Sequence, residues 1–131
     1  MKQSTFEEIA GKYFTLDEFD SPDIARSGLK FKESALRKLV DARKKANTSF
    51  VLTSAVRSYS YNKKVGGEKE SSHLIDVIDE PSAVDISCKT SPKRLKVVVG
   101  LLDAGFRRIG IAKTFIHADD DKNKPKCIWV Y

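Results

Sequence analysis

The strand-forming segments do most to limit the fold. "SAVDIS" (82–87), "FRRIGI" (106–111), "TFIHAD" (114–119) and "CIWVY" (127–131) are short, rich in β-branched and aromatic residues, and crowded towards the C-terminus. "IAK" reads as the turn between the second and third of them. Between the first and second lies a helical segment, "KRLKVVVGLLDA", opened by Ser91 as N-cap and Pro92 in the first turn and closed by Gly105. Upstream, residues 31–46 carry Ala35, Leu36, Leu39, Val40, Ala42 and Ala46 at helical spacing, and "SFVLTSAV" (49–56) reads as a central strand. Helices outside a mostly antiparallel terminal meander imply an α+β domain with one sheet.

The remaining segments fit between these elements. Residues before Thr15 read as a frayed start. Thr15 with Glu18 has capping-box spacing and predicts a short helical turn over "TLDEF", while "SPDIARSGLKF" reads as a connecting loop. "YSYNKKVGG" predicts a helical turn closed by Gly66 and Gly67, with the glycines supplying positive φ. No repeat or linker divides the chain, so residues 1–131 are expected to form a single domain, and 131 residues bury enough surface to fold without a metal or disulfides. Any metal is therefore expected to be functional. Cys88 and Cys127 have neither CxxC spacing nor an adjacent histidine and read as reduced thiols, with a disulfide left open if their strands are neighbours.

The longest apolar run, "VVVGLL", is too short to span a bilayer, so membrane insertion is not expected. The opening "MKQSTFEEIAGKYF" lacks the apolar stretch of a secretory signal, which predicts synthesis in the cytoplasm without export by that route. A net charge of +6 favours anionic partners, whether nucleic acid, a membrane surface or a wall polymer. Much of that charge lies in "RKLVDARKK" and "KNKPK", which read as solvated faces. A nucleic-acid interface would draw on Arg94, Lys96, Arg107 and Arg108.

The chain has two histidines, and both stand among residues with ligand chemistry: His73 in "SSHL" and His117 in "FIHADDD". Side chains two apart on a strand share a face, so His117 and Asp119 project together while Ile116 and Ala118 point the other way. In "AVDIS", Val84 and Ile86 take one face and Asp85 the other. Two imidazoles and a carboxylate are a common zinc set for hydrolysis, because three protein ligands leave a fourth position open. By pattern alone, a histidine near an aspartate is weak evidence, and the favoured reading of each is an ordinary surface or polar-network histidine.

Taken as a set, "TSAVRS", "NKKVGGEKESSHL", "AVDIS" and "GFRRIGIAKTFIHADDD" resemble the D-alanyl-D-alanine carboxypeptidase-like zinc peptidases. These include the L-alanyl-D-glutamate endopeptidases of bacteriophage lysins and share a fold with the hedgehog signalling domain. The resemblance runs in family order over about residues 50–121, and "YFTLDEFDSP" is similar to the opening of phage-type members. It implies a hedgehog/DD-peptidase-like fold and one zinc ion held by His73, Asp85 and His117. The implied substrate is the short peptide of peptidoglycan, cut by a monomeric phage or prophage lysin that another protein releases from the cytoplasm. Arg57 would hold a substrate carboxylate or the oxyanion, its alternative being a surface arginine after a strand. Ser71 would hydrogen-bond substrate or, alternatively, its own backbone in a turn.

Two departures stand out. Relatives commonly show "HxxGxAxD", whereas here residues 74–84 intervene and the extra "IDVIDEP" replaces the glycine. Asp85 keeps the Ala-x-Asp-Ile frame, and Asp79 and Glu80 are its rivals. Several relatives carry an acid three before the last histidine, where this chain has Thr114. Asp119 is then the expected catalytic carboxylate, accepting a proton from water or orienting His117, while Asp120 and Asp121 read as turn residues. The bond cut, endo- or carboxypeptidase, stays open. A non-catalytic zinc-containing wall-binding or phage structural module is the alternative to an enzyme.

Overall fold

The apolar stripe of residues 31–46 is satisfied by burial. In the computed structural model, which describes residues 1–75 and 80–131, helix α2 spans Glu33–Ala46 with all six stripe residues buried. Helix α4, Ser91–Asp103, packs along it, with Pro92 in its first turn. Gly100 makes this close approach possible, since a Cβ there would lie 2.7 Å from both the Ala42 carbonyl and the Ala46 methyl. Gly105, at φ 106°, then turns the chain out of the helix.

Five strands follow the expected segments but are shorter: β1 Leu52–Ser54, β2 Val84–Ser87, β3 Arg108–Ile111, β4 Phe115–Asp119 and β5 Cys127–Val130. They form one sheet in the order β1-β2-β4-β3-β5. Its first three pairings are antiparallel, which bears out the α+β class. The last corrects the expected meander. After β4 the chain passes the start of β3 and runs back along its far side, so β5 pairs parallel to β3. Cys88, just past the end of β2, and Cys127, on β5, are therefore kept apart by the two strands between, and both are free thiols, one buried and one exposed.

The strand expected over 49–56 stops at Ser54 because the following backbone is claimed elsewhere. The Val56 N–H donates to the Phe19 carbonyl (3.0 Å), the Arg57 N–H donates to the His73 carbonyl (2.8 Å), and the Ile75 N–H donates to the Arg57 carbonyl (3.0 Å). A bulge between Leu52 and Ser54 aligns them with the adjacent residues Ile86 and Asp85. Leu52 thereby packs on the core while Ser54 joins the row carrying Asp85.

The N-terminal region also differs from its expected frayed start. Helix α1, Gln3–Ala10, buries Phe6 and Ala10 one turn apart. The capping box of Thr15 and Glu18 forms as predicted and opens a 3₁₀ turn, Leu16–Phe19. Phe19 is the hub of an aromatic cluster, with Phe6, Phe14 and Phe31 edge-on to it at 5.4, 5.4 and 5.0 Å between ring centres. The expected loop over "SPDIARSGLKF" contains a second 3₁₀ turn, Ser27–Lys30. Through Phe19 and Ser21, whose hydroxyl accepts the Ser58 N–H at 3.0 Å, this N-terminal layer fixes the segment that carries Arg57. Among the described residues, no helix is long and apolar enough to cross a membrane.

Candidate metal centre

The register of the sheet builds the centre. Asp85 of β2 stands directly beside His117 of β4, which stands beside Gly110 of β3 and, beyond it, Trp129 of β5. Ser54 extends the same row on the other side. The neighbouring positions Val84, Ile86, Ile116 and Ala118 are fully buried on the core face, as the alternation predicts.

His73 arrives from outside the sheet. Its loop is pinned by the backbone bonds flanking Arg57, and its own N–H donates to the Ser71 hydroxyl at 3.2 Å. The imidazole is buried, with Nδ1 hydrogen-bonded to the Ala55 carbonyl at 2.6 Å. A carbonyl only accepts, so Nδ1 carries the proton and Nε2 is left as a lone-pair donor facing Asp85 Oδ1 at 3.4 Å. His117 presents Nδ1 to the same oxygen at 3.0 Å and Nε2 to Asp119 Oδ2 at 2.7 Å. The ligand atoms of His73, Asp85 and His117 all lie within 4.8 Å of one another. Two aromatic nitrogens and a carboxylate oxygen so gathered, each imidazole with its other nitrogen held by an oxygen, fit a zinc ion.

Burial works against charge on these groups, and their partners decide which way each shifts. Burial holds His73 below its ordinary value and keeps it neutral. Burial also opposes charge on His117, but hydrogen bonds to Asp119 and Asp85 outweigh it and raise the imidazole above the usual range. The same bonds overcome burial at Asp85 and Asp119, and both stay ionised well below ordinary carboxylate values.

Arg57 closes one side. It donates from Nε to Ser54 Oγ (2.9 Å), from Nη1 to Asn62 Oδ1 (3.2 Å) and from Nη2 to Asp85 Oδ2 (3.2 Å). Asn62 sits on α3, Tyr59–Lys64. A Cβ at Gly67 would fall 2.0 Å from Asn62 Oδ1 and 2.9 Å from Arg57 Nη1, so the second glycine of "VGG" makes room for this clamp. Only Gly66 takes the expected positive φ.

On the other side Arg108 donates to Asp119 Oδ1 at 2.8 Å and to the Pro125 carbonyl, and lies 5.0 Å over the Trp129 ring. This turns Arg108 towards the centre, while Arg94 bonds Ser91 and the Lys113 carbonyl. Asp121 accepts from Ser72 Oγ at 2.8 Å, and Asp120 pairs with Lys38 at 3.0 Å. Thr114 is exposed in the β3–β4 turn, and Glu80 is exposed. Asp79, the other rival ligand, lies outside the described residues.

All six residues singled out from sequence, Arg57, Ser71, His73, Asp85, His117 and Asp119, line one cleft of about 610 Å³. Sequence reading missed Ser54 and Asn62, which hold Arg57, and Trp129, which walls the cleft. Gly110 was the available signal for Trp129: a glycine inside a strand marks a close approach.

A sequence model of the peptidase M15 family matches residues 12–119, a span enclosing all six. A search of the curated proteins finds no match. Matched over most of its length, with a zinc-compatible donor set inside the match, the chain belongs to the M15 family of zinc peptidases.

Proposed function

We propose that this zinc peptidase hydrolyses amide bonds in the peptide moiety of bacterial peptidoglycan, as a phage or prophage lysin, with one zinc ion held by His73 Nε2, Asp85 and His117 Nδ1. The observation that carries the reading is the convergence of these donor atoms within 4.8 Å in a cleft that also presents Arg57. When bound, the ion supplies Lewis acidity towards an amide carbonyl and acidifies water enough for attack at neutral pH.

The chain's own groups hold the reactants. Arg57 spends three of its five N–H groups on Ser54, Asn62 and Asp85, and the other two serve a substrate carboxylate or the developing oxyanion. Clamped at three points, it loses little freedom on binding substrate. Asp119 has one oxygen engaged by Arg108 and the other by His117, which supports its acting through His117 as an orienting carboxylate. Ser71 accepts the His73 N–H and lines the cleft, so it both sets the loop and offers its hydroxyl proton to substrate. The "YFTLDEFDSP" opening that supports the phage-type assignment folds around Phe19 and fixes the Arg57 segment.

The test pairs metal analysis with turnover. Purified protein and its His73→Ala and Asp85→Ala variants are assayed for zinc by mass spectrometry and for release of peptides from purified peptidoglycan before and after chelation. The expected result is one zinc per chain, lost in both variants, and release that stops on chelation. Zinc binding without any release would replace the enzyme by a wall-binding module. Zinc retained in Asp85→Ala would remove Asp85 from the ligand set.

A further inference from the structure

The cleft has chemically different ends. On the β1 side of the His–Asp centre stands the clamped cation Arg57; on the β5 side stand three aromatic rings. Phe115 and Tyr131 are 5.2 Å apart between centres, Tyr131 and Trp129 6.2 Å, and Trp129 lies 5.3 Å from His117. None of the three belongs to the hydrophobic core. Trp129 is half-buried and Tyr131 is 65% exposed, which leaves apolar surface facing the cleft.

Trp129 is placed with some care. A Cβ on Gly110 would come within 2.6–2.7 Å of the indole atoms Cε2, Cζ2 and Nε1, so the ring lies across the strand only because that side chain is missing. Arg108 covers the ring at 5.0 Å and is itself tied to Asp119. The indole is thus fixed from two sides, next to a metal ligand. A wall held this way has lost its freedom before substrate arrives, which favours binding.

We propose that Phe115, Trp129 and Tyr131 form a specificity subsite that takes an apolar side chain of the substrate residue beside the scissile amide, across the metal centre from Arg57. The inference rests on the peptidase reading above and adds a direction to it. A substrate would lie with its anionic part towards β1 and its apolar part towards β5.

Trp129 is the chain's single tryptophan, so its fluorescence reports on this subsite alone. The probes are racemic leucine hydroxamate and asparagine hydroxamate, metal-directed ligands of nearly equal size that differ in side-chain polarity. Zinc-loaded protein is titrated with each by calorimetry, with the fluorescence followed in parallel. Leucine hydroxamate is expected to bind about tenfold more tightly and to change Trp129 emission more at saturation. Two variants test the wall separately. Trp129→Ala removes the ring, and Gly110→Ala keeps it but displaces it. In both, the preference is expected to fall towards one while zinc remains at one per chain.

Equal affinities in the wild-type protein, or a preference unchanged in both variants with zinc retained, would overturn the subsite and leave the peptidase reading standing. Wild-type protein that takes up no zinc would overturn both.

Discussion

The two faces of the sheet differ by a single step along each strand. On one, Val84, Ile86, Ile109, Ile116 and Ala118 are fully buried; on the other, Asp85, His117 and Asp119 are 8%, 8% and 1% exposed. Burial does not distinguish them. Partner chemistry does. The apolar face is held by area and shape, so an apolar residue of similar volume substitutes at modest cost. On the polar face each atom has a named partner: His117 bonds Asp85 and Asp119, Arg57 bonds Asp85, and Arg108 bonds Asp119. Such a network contributes little net stability, yet losing one member leaves a charge buried without a partner. One face should therefore govern folding and the other metal binding and turnover.

The largest expected effect separates neighbours in the chain. Asp85→Ala is expected to reduce zinc from one per chain to none and peptide release to background, since it removes a proposed ligand and the acceptor of Arg57 and His117. Ile86→Ala, one residue on, is expected to cost about 2–5 kcal/mol in urea unfolding, while the folded fraction keeps its zinc and its activity per molecule. Loss of zinc from folded Ile86→Ala would show that the faces are not separable.

A smaller effect tests how far the polar face reaches beyond the proposed ligands. Asp119→Asn keeps a hydrogen-bonding group beside His117 Nε2 but removes the charge that orients it and that Arg108 answers. Zinc affinity is expected to fall about 10–100-fold, measured by competition with a fluorescent chelator. Unchanged affinity with turnover abolished would instead make Asp119 the proton acceptor.

These contrasts explain what was readable in the sequence. "AVDIS" and "FIHAD" gave up the polar face because strand alternation is a local property, and the α2 stripe was readable for the same reason. Helix α1 was not, because its two buried residues, Phe6 and Ala10, make a weak pattern, and what holds the helix is the distant ring of Phe19. The ending of β1 depends on Phe19 and His73 taking the hydrogen bonds of Val56 and Arg57, which no window around residues 49–56 contains. Likewise "CIWVY" announces a strand but not that it runs parallel to β3, and so not that Trp129 reaches His117. Contacts between separate segments set each of these, and the only local trace of them is Gly110, which marks a close approach without saying what approaches.

The finest test of the contrast between faces is pH dependence, because only the polar face titrates. In metal-free protein, His117 binds its proton more tightly folded than unfolded. Its contribution to stability is complete below the unfolded value, about 6.5, and fades as pH rises through the higher folded value. His73 has the opposite sign: with its folded value lowered, its contribution is present above about 6.5 and is lost as pH falls. Asp85 and Asp119, also lowered, lose theirs only as pH falls below the ordinary carboxylate range. Stability of the metal-free protein from this cluster should therefore peak near pH ~6.5. Zinc requires a neutral imidazole, so its binding at the proposed site must expel the proton that His117 retains. Calorimetry in two buffers of different ionisation enthalpy should show release of up to one proton at pH ~6.5, fading as His117 becomes neutral, with apparent zinc affinity rising by no more than about tenfold per pH unit over that range. The Ile86→Ala variant should give the same proton count as wild type, whereas His117→Ala should release none. Equal release from both variants would place the displaced proton elsewhere and take His117 out of the ligand set.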